Sequence, residues 1–206
     1  VDVYERALYN GVLSGVSLDG DKFFYDNPLE SMGQHHRQKW FGCACCPGNV
    51  TRFVASVPNY IYATQGNDVF VNLYIQGDAD INANGNKVKI SQTTQYPWDG
   101  NVAITINPRK QSQWKVMLRI PSWLSDRPVA NNLYSFADSK GGYTIRLNGQ
   151  TIQPEIVNGY AVIDRKWKRG DKVEIAMDME VRRIKANDNV NDDRGKTALQ
   201  RGPVVY

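Results

Sequence analysis

Histidine and cysteine are scarce in this chain, two and three residues among 206, and neither sign of charge dominates. Lys and Arg number 25 and Asp and Glu 21, a net charge of +4 spread along the chain. So small an excess does not argue for nucleic acid, and no recognisable nucleic-acid module accompanies it. The densest basic stretch, Arg165-Lys-Trp-Lys-Arg169, reads as a charged turn leading into a strand. No run approaches the roughly 18 apolar residues of a membrane span, and nothing at the N-terminus reads as a signal peptide, so no membrane partner is expected. Glycine and proline, 17 and 9 residues, are too few for a collagen-like or low-complexity chain. An internal repeat of about 20–50 residues is also missing.

What is present is an ordinary globular composition, 41% hydrophobic and 22% charged. At roughly 100–200 residues per domain the length allows one domain, or one plus a fragment. Eleven Tyr and five Trp suit half-buried sheet surfaces and sugar-stacking faces. Val1 opens directly into a helical pattern, and Val204-Val205-Tyr206 reads as the first half of a strand. Severed elements leave backbone groups unpaired, so the chain is expected to be a fragment of a larger protein.

The hydrophobic period changes partway along. Tyr4, Ala7, Leu8, Val12 and Val16 keep helical spacing. A turn at Leu18-Asp19-Gly20-Asp21 and a short extended piece, Lys22 to Tyr25, follow. Residues 26–46 carry little periodicity and hold both His and all three Cys. Pro47 suits the first position of a helix, whose apolar face would be Val50, Phe53, Val54 and Val57, closed by Pro58.

Beyond Tyr60 the period is two: Val69, Val71, Leu73 and Ile75, then Val88 and Ile90, Val102 to Ile106, and Trp114 to Ile120. Asn148-Gly149 is a strong hairpin signal. Val173, Ile175, Met177, Met179 and Val181 predict the longest strand. Short alternating strands between Asn/Gly/Asp turns mean antiparallel sheets with one wet face. The expected fold is mainly β, an antiparallel β-sandwich over 65–206 preceded by two helices and a Cys-rich loop over 1–64.

The three cysteines fall within four positions, Cys43-Ala44-Cys45-Cys46, ahead of Pro47. Buried apolar thiols without function would be scattered instead. An odd count and adjacent positions fit a disulfide framework poorly. Cys43 and Cys46 have redox C-x-x-C spacing before a helix start. Thiolates also bind zinc, normally with four ligands, and His35 and His36 can complete such a set or sit in a solvated loop. Spacing alone leaves a thiolate-rich metal site as the better reading and stops there.

The stretch Arg37-Gln-Lys-Trp-Phe-Gly-Cys-Ala-Cys-Cys-Pro-Gly-Asn49 follows Glu5-Arg-Ala-Leu-Tyr-Asn-Gly-Val-Leu-Ser-Gly15 and Phe23-Phe-Tyr-Asp-Asn-Pro-Leu-Glu30. Together these words resemble the β-L-arabinofuranosidase family, glycoside hydrolase family 127 with its close relative family 146. The resemblance runs from residue 1 to about residue 64, and Ala198-Leu-Gln-Arg-Gly-Pro-Val-Val-Tyr206 resembles the family's late sandwich strand. It implies an (α/α)6 toroid, of which 1–64 would be the C-terminal end, followed by β-sandwich domains. It further implies a retaining enzyme that removes terminal β-L-arabinofuranosyl groups from an oligosaccharide or glycan.

The nucleophile of that family is a zinc-bound cysteine, and by position Cys45 matches it, with Cys46 matching the neighbouring zinc ligand. Cys43 has no role by this match and is read as a small buried residue. His35, His36 and Arg37 would line the sugar pocket, with Arg37 and Trp40 equally able to brace the loop. Glu5 matches an acidic position of the family's helix. The remaining zinc ligands, a Glu-x-Cys pair, and the acid/base Glu are expected N-terminal to Val1. Gly48 replaces the second Pro of the family's Cys-Cys-Pro-Pro-Asn. The resemblance therefore implies zinc in the intact parent enzyme, with this piece inactive alone and binding little or none. A carbohydrate-binding β-sandwich without catalysis and a structural zinc-thiolate module are the competing readings. A homodimer through the β-sandwich is the oligomer expected. Compartment is left open by the sequence.

Overall fold

The computed structural model describes residues 1–26, 31–43, 45–125, 127–129, 131–138 and 141–206. The Asn-Pro-Leu-Glu word at 27–30 and Ala44 lie outside the described residues. The chain divides into two compact units, Val1–Asn59 and Tyr60–Tyr206.

In the first unit α1 spans Asp2–Ala7 and continues as a π-helical turn, Leu8–Val12, and a 3-10 turn, Leu13–Gly15. The change of helix type has a local cause. Asn10 Nδ2 donates to the Arg6 carbonyl at 3.0 Å and Ser14 Oγ to the Asn10 carbonyl at 2.7 Å, side-chain bonds that compete with the helical ladder. Phe23 then bridges both Val16 and Gln38, which folds the irregular segment back on itself. The second helix, α2, covers Cys45–Ser56. It begins two residues before the expected Pro47, which is tolerated because the first turn's N–H groups have no helical partner. Of its expected apolar face Val57 is buried and Val54 is exposed, while Phe53 stacks on Tyr4 at 5.2 Å between centroids.

The second unit is built of strands. In chain order these are β1 Tyr62–Gln65, β2 Asp68–Val71, β3 Gly77–Ala83, β4 Asn86–Thr94 and β5 Asn101–Pro108. Next come β6 Ser112–Arg119, β7 Tyr134–Phe136, β8 Tyr143–Leu147, β9 Gln150–Ile152 and β10 Ile156–Val157. Last are β11 Tyr160–Trp167, β12 Asp171–Met177, β13 Val181–Ala186, β14 Ala198–Arg201 and β15 Val204–Val205. One sheet has the order β1-β2-β6-β11-β10 and another β3-β4-β5-β12-β8-β9. Neighbours are antiparallel except β2 and β6, which run parallel. Each of these sheets buries one face: Val69, Val71, Val116, Leu118 and Ile163 on one, Val88, Ile90, Ile104, Ile106, Val173 and Ile175 on the other. Two one-faced sheets make the antiparallel β-sandwich that the alternation implies.

The turns follow from their residues. Asn148 and Gly149 have φ of +51° and +82°, as do Asn84-Gly85 (+48°, +85°) and Asn158-Gly159 (+51°, +81°). Positive φ at both central positions is the type I′ geometry that matches strand twist. In the Arg165–Arg169 stretch, Arg165 to Trp167 belong to β11, and Trp167 is wholly buried with its Nε1 donating to the Trp114 carbonyl at 2.9 Å.

Two alternation readings are corrected. The 69–75 run leaves the sheet after Val71, so Tyr74 is fully buried instead of outward, its hydroxyl donating to the Arg119 carbonyl. The run through Val181 is two strands, and the longest strand is the nine-residue β4. After Met177 the chain passes into a third, four-stranded sheet, β15-β14-β13-β7. Asp178 marks the exit: its N–H donates to the Gly142 carbonyl at 2.9 Å and its carboxylate accepts the Gly142 N–H at 2.8 Å.

Candidate functional site

Cys45 opens α2, and Cys46 follows in its first turn. Adjacent helical positions diverge by about 100°, yet the two sulfurs lie 3.6 Å apart. The Cys43 thiol donates to Cys45 Sγ at 3.4 Å. Tyr25 caps the cluster, its hydroxyl 3.8 Å from Cys45 Sγ and its carbonyl accepting from Cys46 Sγ at 3.6 Å. Cys43 and Cys45 are exposed and Cys46 is half-buried. This corrects the reading of Cys43 as a buried residue: an irregular approach to the helix start holds it in solvent and turns its sulfur onto Cys45.

The electrostatics single out the central sulfur. Hydrogen bonds from Cys43, then Tyr25 and Cys46, lower the Cys45 thiol below its ordinary pKa. A helix N-terminus acts in the same direction. Cys46 is raised, first by its hydrogen bond to Cys45 and then by burial. Tyr25 is pushed up to about 12, chiefly by its hydrogen bond to Cys45. The cluster thus favours one thiolate, at Cys45, over two.

The donor chemistry fits part of a zinc site. Zn–S bonds of about 2.3 Å at tetrahedral angles separate two sulfurs by about 3.8 Å, close to the Cys45–Cys46 spacing of 3.6 Å. No group of three or more His, Cys, Asp or Glu arranged to hold a metal forms among the described residues. Two corners of a tetrahedron are therefore in place.

The loop residues have distinct surroundings. His35 stacks on Phe24 at 4.7 Å, and its Nε2 lies 3.0 Å from the Asp26 carbonyl. Arg37 donates from Nε to the Gly15 carbonyl at 3.2 Å and from Nη2 to Ser14 at 2.6 Å, with its guanidinium 4.4 Å over the Phe24 ring. His36 and Trp40 are exposed. Glu5 is 2% exposed, and its charge partly offsets the burial that lowers Arg6. Tyr25 was missed by reasoning from the sequence. No local signal marks it, since what returns it to the thiols is the Phe23–Gln38 bridge together with the packing of its ring on Phe41.

Comparison with known proteins covers the whole chain. The sequence profile of the β-L-arabinofuranosidase GH127 catalytic domain matches residues 1–59, that of the GH127 middle domain residues 68–179, and that of the family 127 C-terminal domain residues 181–206. A non-reducing end β-L-arabinofuranosidase of Bifidobacterium longum subsp. longum is 36% identical over all of this chain and 31% of its own length. A solved GH127 β-arabinofuranosidase superposes with a TM-score of 0.94 at 47% identity, over 99% of this chain and 32% of its own. A GH127 β-L-arabinofuranosidase from Geobacillus stearothermophilus T6 gives 0.84 at 43% identity, over 99% and 32%. The chain spans about a third of the length of these relatives.

Proposed function

The chain belongs to glycoside hydrolase family 127, and from that premise we propose that it forms part of a retaining β-L-arabinofuranosidase whose nucleophile is Cys45. The observation that carries this reading is the convergence on one sulfur, with Cys43, Cys46 and the Tyr25 hydroxyl all within 3.8 Å of Cys45 Sγ. A zinc ion held by Cys45, Cys46 and further ligands would keep the thiols deprotonated at neutral pH.

In the first step the Cys45 sulfur bonds to the anomeric carbon while the glycosidic C–O bond breaks. The leaving oxygen takes a proton from a general acid supplied elsewhere in the enzyme. In the second, water attacks that carbon, the C–S bond breaks, and the same group, now a base, takes the proton. Cys43 and Tyr25 orient the sulfur. Held to the Ser14 and Gly15 carbonyls, Arg37 braces the loop, and His35 is seated on Phe24 and the Asp26 carbonyl, which leaves the exposed His36 for sugar contact. The substrate is a glycan with a terminal β-L-arabinofuranosyl group.

The test uses the whole enzyme containing this chain. Cys45→Ser should abolish turnover, since an alkoxide forms far less readily than a thiolate. Cys46→Ser should lose activity together with bound zinc. Cys43→Ser, which keeps a donor beside Cys45, should retain most activity. An electrophilic L-arabinofuranose mimic should label Cys45 in the digested peptide. Label on Cys43, or full turnover by Cys45→Ser, would overturn the assignment.

A further inference from the structure

One end of the sandwich gathers positive charge that the glycosidase chemistry does not use. The Asn84-Gly85 turn, the Gly66-Asn67 turn and the β5–β6 connection together enclose an open cavity of about 510 Å³. Lys87, Arg109 and Lys110 line it, with no Asp or Glu in the wall. All three are exposed, and their side chains make no ion pair among the described residues. The Arg109 N–H donates to the Lys87 carbonyl at 2.8 Å, so the main-chain positions that carry two of the cations are joined.

The rest of the lining consists of neutral hydrogen-bonding groups, among them Asn67 and Asn86, while Gln113 donates from Nε2 to Asp164 behind it at 2.6 Å. The Asn86 amide nitrogen is buried and has no hydrogen-bond partner among the described residues. Asp80 borders an adjoining hollow that shares Lys87 and Arg109. The Lys168-Arg169 turn is tied to the same end: the Gly170 N–H donates to Asn107 Oδ1, one residue before Pro108 ends β5.

We propose that this cavity binds an acidic glycan, with uronate carboxylates on Lys87, Arg109 and Lys110 and sugar hydroxyls on the amide side chains. Charge selects the anion, and a concave wall of amides selects a sugar over a bare phosphate backbone, since stacked bases would call for aromatic platforms. The proposal rests on the family reading only in choosing a glycan as the partner class, and its test measures binding alone, so the two can fail separately.

Titration calorimetry of the 206-residue chain would use an α-1,4-linked galacturonate hexamer, its fully methyl-esterified form, and a single-stranded DNA of equal charge. The galacturonate hexamer should bind, and the ester should bind at least tenfold more weakly. The K87A/R109A/K110A variant should lose at least tenfold in affinity at unchanged thermal midpoint. Asn67→Leu should weaken binding at an unchanged salt slope, because Asn67 is an exposed amide of the wall and no charge is removed. The proposal is overturned if the hexamer does not bind, if the triple variant binds it equally, or if the DNA binds as tightly as the hexamer.

Discussion

Replacing Trp167 by Phe tests whether the basic word at 165–169 is a surface turn or part of the core. Trp167 is wholly buried, its ring 5.4 Å from that of Trp114 and beneath the Arg165 guanidinium at 5.5 Å. Its Nε1 donates to the Trp114 carbonyl at 2.9 Å. Phe retains most of the apolar contact but removes the donor, leaving an acceptor in an environment where the unmet bond costs about 1–3 kcal/mol. Ala removes both, at about 3–5 kcal/mol. At this size 1 kcal/mol moves the midpoint by about 2–4 °C. Trp167→Phe should therefore lower the midpoint by about 2–12 °C, and Trp167→Ala by about 6–20 °C. Guanidinium unfolding followed by far-UV circular dichroism gives the free energies directly. A Phe variant within about 0.5 kcal/mol of the parent protein, below the smallest cost of an unmet buried bond, would refute the hydrogen-bond argument. One as unstable as the Ala variant would refute the packing argument.

Gly100→Ala should cost more than about 2 kcal/mol or prevent folding, because a Cβ there would lie 2.0 Å from the Met177 carbonyl oxygen, a clash of the overpacking kind; expression and melting report it. Gly149→Ala, at φ +82°, should cost about 1–2 kcal/mol without changing the circular dichroism spectrum. The Asp138 carboxyl is held below its usual range, first by its hydrogen bonds with Arg183. A depressed carboxylate stabilises above its unfolded pKa of about 3.9 and loses that contribution as pH falls through the folded value. Asp138→Asn should therefore show a shallower loss of stability than the parent protein below about pH 4; an unchanged acid limb in urea titrations would remove this pair from the ledger. The 206-residue chain by itself should bind zinc weakly, since Cys45 and Cys46 supply two corners, and equilibrium dialysis decides it.

How far the sequence reached can be seen residue by residue. Alternation located Val102, Ile104 and Ile106 and Trp114, Val116 and Leu118 as buried, because a strand inside a sheet keeps period two. It failed at Tyr74 and at Met179, where the chain leaves its sheet and the period loses its meaning. The Asn-Gly pair at 148–149 announced its hairpin locally, since the left-handed conformation is a property of those two residues.

The site divides in the same way. Three sulfurs close in the chain were bound to be close in space, so the cysteine cluster was legible from spacing alone. Tyr25, 20 residues away from Cys45, was not, because the Phe23–Gln38 bridge and the packing of Phe23 and Tyr25 on Phe41 return that segment to the thiols. Arg37 lies beside the cluster in sequence, yet the fold spends it on the carbonyls of Ser14 and Gly15. Lys87 lies in β4 and the neighbouring Arg109 and Lys110 follow β5, and the pairing of those two strands brings them to one cavity. Local order is written in neighbouring residues and their covalent geometry. Which distant groups share a site depends on the register that buries the most apolar surface, a property of the whole sheet.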